Sequence, residues 1–298
     1  QNYLSQTKQA MYISITGNVL NVILNYGLIF GALGMPEYGM IGAAYATLIS
    51  RSVMAVVMGG FVFTYSKMKV YRDMLNTIQI EWREIKKILD IGVPSGMQYV
   101  FEVGAFGMAA IIIGWTGAVP LAAHQIALNL AAISYMTATG ISAAASIRVG
   151  NQLGKKDFLT LRQAGMTCFV MGAVLMSVFA LLFVVFQHSL PQLYVDDMEV
   201  IQMASSLLIV AAVFQISDGV QAVGLGVLRG LRDVKVPTYV TLIAYWGTAM
   251  PLGYWLGITL EMGAVGVWWG LLIGLTIAAI AHLVRFNSLT KNLLKETN

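Results

Sequence analysis

The chain has 298 residues, of which 58% are hydrophobic and 11% charged. A soluble globular domain carries about 25% charged residues, so this composition excludes that class and points to a membrane protein. The net charge of +4 does not argue for nucleic-acid binding, because Lys and Arg collect in the cytoplasmic loops of membrane proteins.

A helix that crosses a bilayer needs about 20 mostly apolar residues. On that length the sequence predicts eight transmembrane helices, at about 11–33, 40–65, 86–113, 120–147, 163–187, 200–228, 237–257 and 263–285. The predicted fold is an all-α membrane protein. In the first span Ser14, Asn18, Asn21 and Asn25 recur at helical spacing and form one polar stripe, which in lipid must face protein or water. The second span carries Arg51 near its middle. The segment that follows, SKMKVYRDMLNTIQIEWREIKK, reads as a basic, amphipathic cytoplasmic link that can rest on anionic lipid.

The third span holds the first unusual residue. Between Gly92 and Ile113 the only formal charge is Glu102. Pro94 stands upstream of it and reads either as the start of the helix or as a hinge within it. The fourth span has His124, Gln125 and Asn129, with His124 near the outer end, where it can snorkel. The fifth contains the single cysteine, Cys168, in an apolar run, so no intramolecular disulfide is possible. The sixth span carries Asp218 in FQISDGVQAVG. Polar and aromatic residues beside the two acids (Gln98, Tyr99, Phe214, Gln215), together with Gln125 and Asn129, are candidates to line a substrate cavity.

A carboxylate at mid-membrane costs about 2.5–3.5 kcal/mol on insertion scales, and such groups face a cavity or a partner. Neither the third nor the sixth helix offers a buried Lys or Arg to pair with its acid. Such an acid can stay protonated, bind a metal ion together with hydroxyls and carbonyls, or meet a cationic substrate. An antiporter uses all three in turn. The competing reading is a neutral acid in a structural interhelical hydrogen bond.

Lys and Arg alternate with the spans. They surround the second, fourth and sixth connections and both chain ends, while the stretches near 34–39, 114–119, 188–199 and 258–262 contain none. The alternation predicts both ends on the cytoplasmic side. MYISITGNVLNVILNYGLIFG from Met11 parallels TYVTLIAYWGTAMPLGYWLG from Thr238, and GMIGAAYATLIS from Gly39 parallels GAVGVWWGLLIG from Gly263. This order predicts a parallel internal repeat. The expected division is 1–65 as the last two helices of one lobe, 66–85 as an interlobe linker, 86–286 as a complete six-helix lobe and 287–298 as a cytoplasmic tail. On that reading about four N-terminal helices of the same protein are missing from this chain. HExxH, GxSxG and Walker patterns are absent, so neither an enzyme nor a bound cofactor is expected.

The stretches NVLNVILNYGLIFG (18–31), GVPSGMQYVFEVGAFG (92–107), LAAHQIALNL (121–130), SIRVGNQLGKKD (146–157) and DGVQAVGLGVLRGLRD (218–233) carry a resemblance. Over essentially its whole length the chain resembles the multidrug and toxic compound extrusion (MATE) family, in its NorM-like branch. The resemblance implies twelve helices in two lobes and antiport of cationic amphipathic drugs against Na⁺ or H⁺ by alternating access, in a bacterial inner membrane. It also implies that Glu102 and Asp218, on the seventh and tenth helices of that scheme, bind the coupling cation. Phe214 stands where some NorM-like members carry a tyrosine, which removes a hydroxyl ligand and leaves the choice between Na⁺ and H⁺ open. One alternative is a lipid-linked oligosaccharide flippase of the same superfamily, which needs several basic residues in its cavity; only Arg51 is available. A non-transporting membrane subunit or membrane-embedded enzyme is the more distant alternative.

Overall fold

The computed structural model describes residues 7–65 and 81–295. Most of the expected basic link therefore lies outside the described residues. Among these, every regular element is a helix. The chain divides into two compact units, 1–81 and 82–298.

The first unit is a hairpin of α1 (Thr7–Phe30) and α2 (Gly39–Thr64). The turn between them is pinned by the Tyr38 amide, which donates to the Leu28 carbonyl at 2.8 Å. Within the polar stripe of α1, Asn25 Nδ2 donates to Asn21 Oδ1 at 3.0 Å, so part of the stripe closes on itself. Arg51 is exposed on α2.

The second unit contains α3 (Trp82–Gly114), α4 (Ala118–Lys155), α5 (Phe158–Val185), α6 (Met198–Gly230), a helical stretch α7 (235–259) and α8 (Gly263–Lys295). A single turn of helix, Ser189–Gln192, lies between α5 and α6. Asp157 and Asp197 cap α5 and α6: Asp157 Oδ1 accepts from the Thr160 amide, and Asp197 Oδ1 from those of Glu199 and Val200. The joint between α4 and α5 is only Lys156 and Asp157, with Lys156 in the left-handed region at φ 58°. Most of the basic connection expected there is thus helix.

α6 is the axis of this unit, buried along nearly its whole length against α4, α5 and α8. α5 shows why the unit belongs in lipid. Leu161, Gly165, Phe169, Gly172 and Met176 form its buried face, while Val170, Val174, Val178 and Leu181 stand exposed at helical spacing. A helix that is apolar on its outer face as well as its inner one is a membrane helix. Among the described residues, seven helices are long and apolar enough to cross a membrane.

α7 departs from the expected eight unbroken spans. It is α-helical at Lys235–Leu242 and Met250–Tyr254 but π-helical at Ile243–Ala249 and Trp255–Thr259. Its neighbour accounts for the close fit. Gly266, Gly270 and Gly274 stripe α8, and a Cβ on Gly270 would run into the backbone of Gly253. The same device closes the first hairpin, where a Cβ on Gly42 would strike the Leu28 carbonyl. Gly39 and Gly263, at the starts of α2 and α8, both hold positive φ, at 55° and 59°. The residues paired by the sequence repeat thus share backbone geometry.

Candidate cation and substrate site

Pro94 lies well inside α3, which starts at Trp82. It does not mark the helix start. Without an N–H it leaves the Asp90 carbonyl short of its helical donor. The opened region is stitched to α7. Thr238 Oγ1 lies 3.0 Å from the Pro94 carbonyl and 2.8 Å from that of Val234. Gln98 Nε2 donates to Thr238 Oγ1 and the Val234 carbonyl. Two turns on, Trp246 Nε1 donates to the Phe101 carbonyl at 3.0 Å.

Glu102 follows on the same helix and is 5% exposed; Asp218, from α6, is 3% exposed. Both line one cavity of about 230 Å³ between α3, α4 and α6. Tyr99, Val103 and Met136 are exposed and form its mouth, while the two acids and Phe214 are buried at its floor. Its remaining walls are Phe106, Leu128, Ala131, Ala132 and Tyr135, and no basic side chain among the described residues lines it. Two carboxyls therefore share an apolar chamber without a fixed counter-charge. That arrangement suits a cation that comes and goes.

The sequence reading missed three groups around this pair. Tyr135 lines the cavity from α4, and its hydroxyl neighbours Glu102. It supplies from another helix the kind of oxygen that Phe214 lacks. The signal was present in the sequence: Leu128, Ala131, Ala132, Tyr135 and Met136 recur at helical spacing and form the cavity-facing side of α4. Gln221 lies beside Glu102 from α6, and Tyr245, fully buried in the first π-helical segment, has its ring 6.1 Å from that of the cavity-lining Phe106.

Of the candidate substrate contacts, Tyr99 and Phe214 line the cavity. Phe214 packs edge-on against Phe106 and Trp268, with ring centroids 6.1 and 5.7 Å apart. Gln98 is spent on the tie to α7. Gln215 is fully buried away from the cavity. Gln125 and Asn129 are exposed and do not line it, and Asn129 Oδ1 accepts from the Tyr194 hydroxyl at 2.8 Å. His124 does not snorkel: it is fully buried, and its Nδ1 accepts from Trp268 Nε1 at 3.1 Å.

Long helices with apolar outer faces, around a chamber that holds two buried acids, define an integral membrane protein. The MatE family model matches residues 94–255, more than half of the chain, and the chain belongs to that family of MATE transporters. It is 36% identical over 296 residues to the multidrug resistance protein NorM of Burkholderia vietnamiensis, covering 98% of this chain and 63% of that protein. It is 36% identical over 288 residues to the multidrug resistance protein MdtK of Photorhabdus laumondii subsp. laumondii, covering 95% of this chain and 63% of that protein. The chain thus spans 63% of the length of these curated relatives. Among solved structures it is similar to a eukaryotic MATE transporter, AtDTX14, with a TM-score of 0.83 at 20% identity, over 96% of this chain and 64% of that one. It is similar also to an outward-facing multidrug resistance MATE family transporter of the MOP superfamily, with a TM-score of 0.82 at 22% identity, over 96% of this chain and 63% of that one. At these identities the likeness to solved structures is one of fold.

Proposed function

We propose that the protein exports cationic amphipathic drugs or toxins in exchange for Na⁺ or H⁺, by alternating access, with Glu102 and Asp218 taking the coupling cation. The observation that carries this reading is the pair of buried carboxyls from two helices on the floor of one apolar cavity that no basic residue lines. Aromatic and apolar walls accept the body of an amphipathic cation, and the acids accept its charge or that of the coupling ion. A lipid-linked oligosaccharide would need Lys or Arg for its phosphates, which this cavity does not supply.

In this reading α7 is an eighth crossing. Its 235–259 stretch is continuous helix in spite of the π-helical segments, and about 20 residues suffice to span the apolar core. Both ends of the chain then lie in the cytoplasm, and the membrane is the bacterial inner membrane of its NorM and MdtK relatives. Pro94 acts as the hinge of α3, with Gln98, Thr238 and Trp246 carrying α7 along.

The experiment is dye efflux from proteoliposomes of the full-length protein, with Na⁺ and pH gradients imposed separately. Efflux should follow one gradient or both and be lost in Glu102→Gln. Undiminished, still cation-dependent efflux in Glu102→Gln would overturn the assignment.

A further inference from the structure

Two of the stretches that carry the family resemblance, SIRVGNQLGKKD (146–157) and GVLRGLRD (226–233), take no part in the cavity. They meet instead at the ends of α4 and α6, around a cleft of about 510 Å³. α4 contributes Ser146, Gly150 and Gly154, the end of α6 contributes Arg229 and Arg232, and α3 adds Ile91. Among the described residues no carboxylate lines this cleft, and neither arginine is in an ion pair. Arg285 nearby is neutralised, by contrast: its Nε donates to Asp233 Oδ2 at 2.7 Å.

Packing does not explain three features of the cleft. Arg229 Nε is enclosed and has no hydrogen-bond partner among the described residues, although enclosed N–H groups are nearly always paired. Arg232 follows α6 at φ 62°, its amide donating to the Arg229 carbonyl and the Asp233 amide to that of Leu228, both at 3.0 Å. A helix end of this kind ordinarily places glycine at the left-handed residue, where a Cβ is unfavourable. Gly154 faces open space: a Cβ there would meet no atom within 4 Å, so helix propensity alone would favour alanine. The close approach of α4 and α6 is made at Gly230 instead, whose Cβ would run into the Ser146 carbonyl.

Two guanidinium groups without a counter-charge call for an anion, and the planar N–H fork of arginine matches the oxygens of a phosphate. Depth supplies the source of that phosphate. Arg229 and Arg232 follow directly on the apolar run 200–228, Gly150 and Gly154 lie just past 120–147, and Ile91 stands near the start of 86–113. The cleft therefore sits where the helices leave the hydrocarbon, at the level of the lipid headgroups, where basic pockets between helices hold anionic lipids. A soluble anion would have to displace the phosphates that the leaflet already presents there. Ile91 offers an apolar edge to the glycerol and the first acyl carbons.

We propose that Arg229 and Arg232, over the bare helix surface at Gly150 and Gly154, bind the phosphate of an anionic phospholipid in the cytoplasmic leaflet. The choice of leaflet rests on the orientation proposed above; the coupling site does not enter. Ile91 lies one turn before Pro94, which places the headgroup against the foot of the helix that carries that proline.

The test uses purified full-length protein in neutral detergent and radiolabelled phosphatidylglycerol, with phosphatidylcholine as the zwitterionic control. Wild-type protein should bind phosphatidylglycerol at least tenfold more tightly than phosphatidylcholine. Arg232→Gly should raise the half-saturating phosphatidylglycerol at least fivefold, while its unfolding temperature holds or rises, because glycine relaxes the left-handed residue. A structural role for Arg232 predicts a lowered unfolding temperature instead. Gly154→Leu should weaken phosphatidylglycerol binding as strongly with both charges intact, because its side chain fills the cleft. Retained dye binding reports that each variant is folded. Equal binding of the two lipids by wild type, or wild-type phosphatidylglycerol binding by either folded variant, would overturn the proposal. Arginine-dependent binding of inorganic phosphate without any preference between the lipids would also overturn it and make the cleft a site for a soluble anion. Failure of both variants to fold would equally overturn it, because the cleft would then be packing. Every readout is lipid or phosphate binding rather than efflux, so none of these failures touches the reading of Glu102 and Asp218.

Discussion

Replacing Asp218 with asparagine separates a working carboxylate from a structural one, because the two roles predict opposite signs. Asp218 is 3% exposed, shares its chamber with Glu102 and has no basic side chain along that chamber's wall. Two unit charges about 4 Å apart interact by about 4 kcal/mol at an effective dielectric constant near 20. Asparagine keeps an oxygen ligand but loses that attraction for a bound cation. At about 1.4 kcal/mol per decade, the half-saturating cation concentration should rise by roughly a hundredfold to a thousandfold. The cation-free protein should lose no stability, since an uncompensated acid in an apolar setting is itself costly and the amide relieves that cost. The assay is a cation titration followed by fluorescence, paired with thermal unfolding in cation-free buffer. Cation affinity within threefold of wild type, together with a clearly lowered melting temperature, would refute the reasoning and make Asp218 a structural hydrogen-bonding residue.

Gln98→Met should behave in the opposite way. It cuts the tie to Val234 and Thr238 and leaves the Thr238 hydroxyl oxygen without its donor, so thermal unfolding should show a loss of about 1–3 kcal/mol while cation half-saturation barely moves. Gly270→Val places a branched side chain where the backbone of Gly253 already sits, and overpacking of a tight core costs about 1–3 kcal/mol or more. Proteolysis of the purified variant should show α7 loosened, and unchanged protection would argue against the close helix contact.

Glu102 and Asp218 were legible in the sequence because hydropathy makes a charge inside an apolar run conspicuous, and the structure brings them to one floor. The span limits were less legible. α4 runs on to Lys155 and α8 to Lys295, past the points where the apolar runs stop, because a helix ends where its backbone ladder ends and not where the lipid does. The two π-helical segments of α7 left no mark on hydropathy at all. An apolar residue reads the same in either ladder, and only the glycine stripe opposite records how closely that helix is packed. Gln221 and Tyr245 were invisible for a related reason. Period and composition describe one helix at a time, whereas these side chains gain meaning from Glu102, on a third helix far away in the chain. A single Gln on a mostly apolar helix reads as interhelical glue, and a single Tyr as an interfacial anchor. It is the placing of the Gln221 side chain beside the Glu102 carboxyl that changes the first of these readings. Neighbours of that kind, drawn from helices far apart in the chain, are what a reading of one helix at a time cannot see.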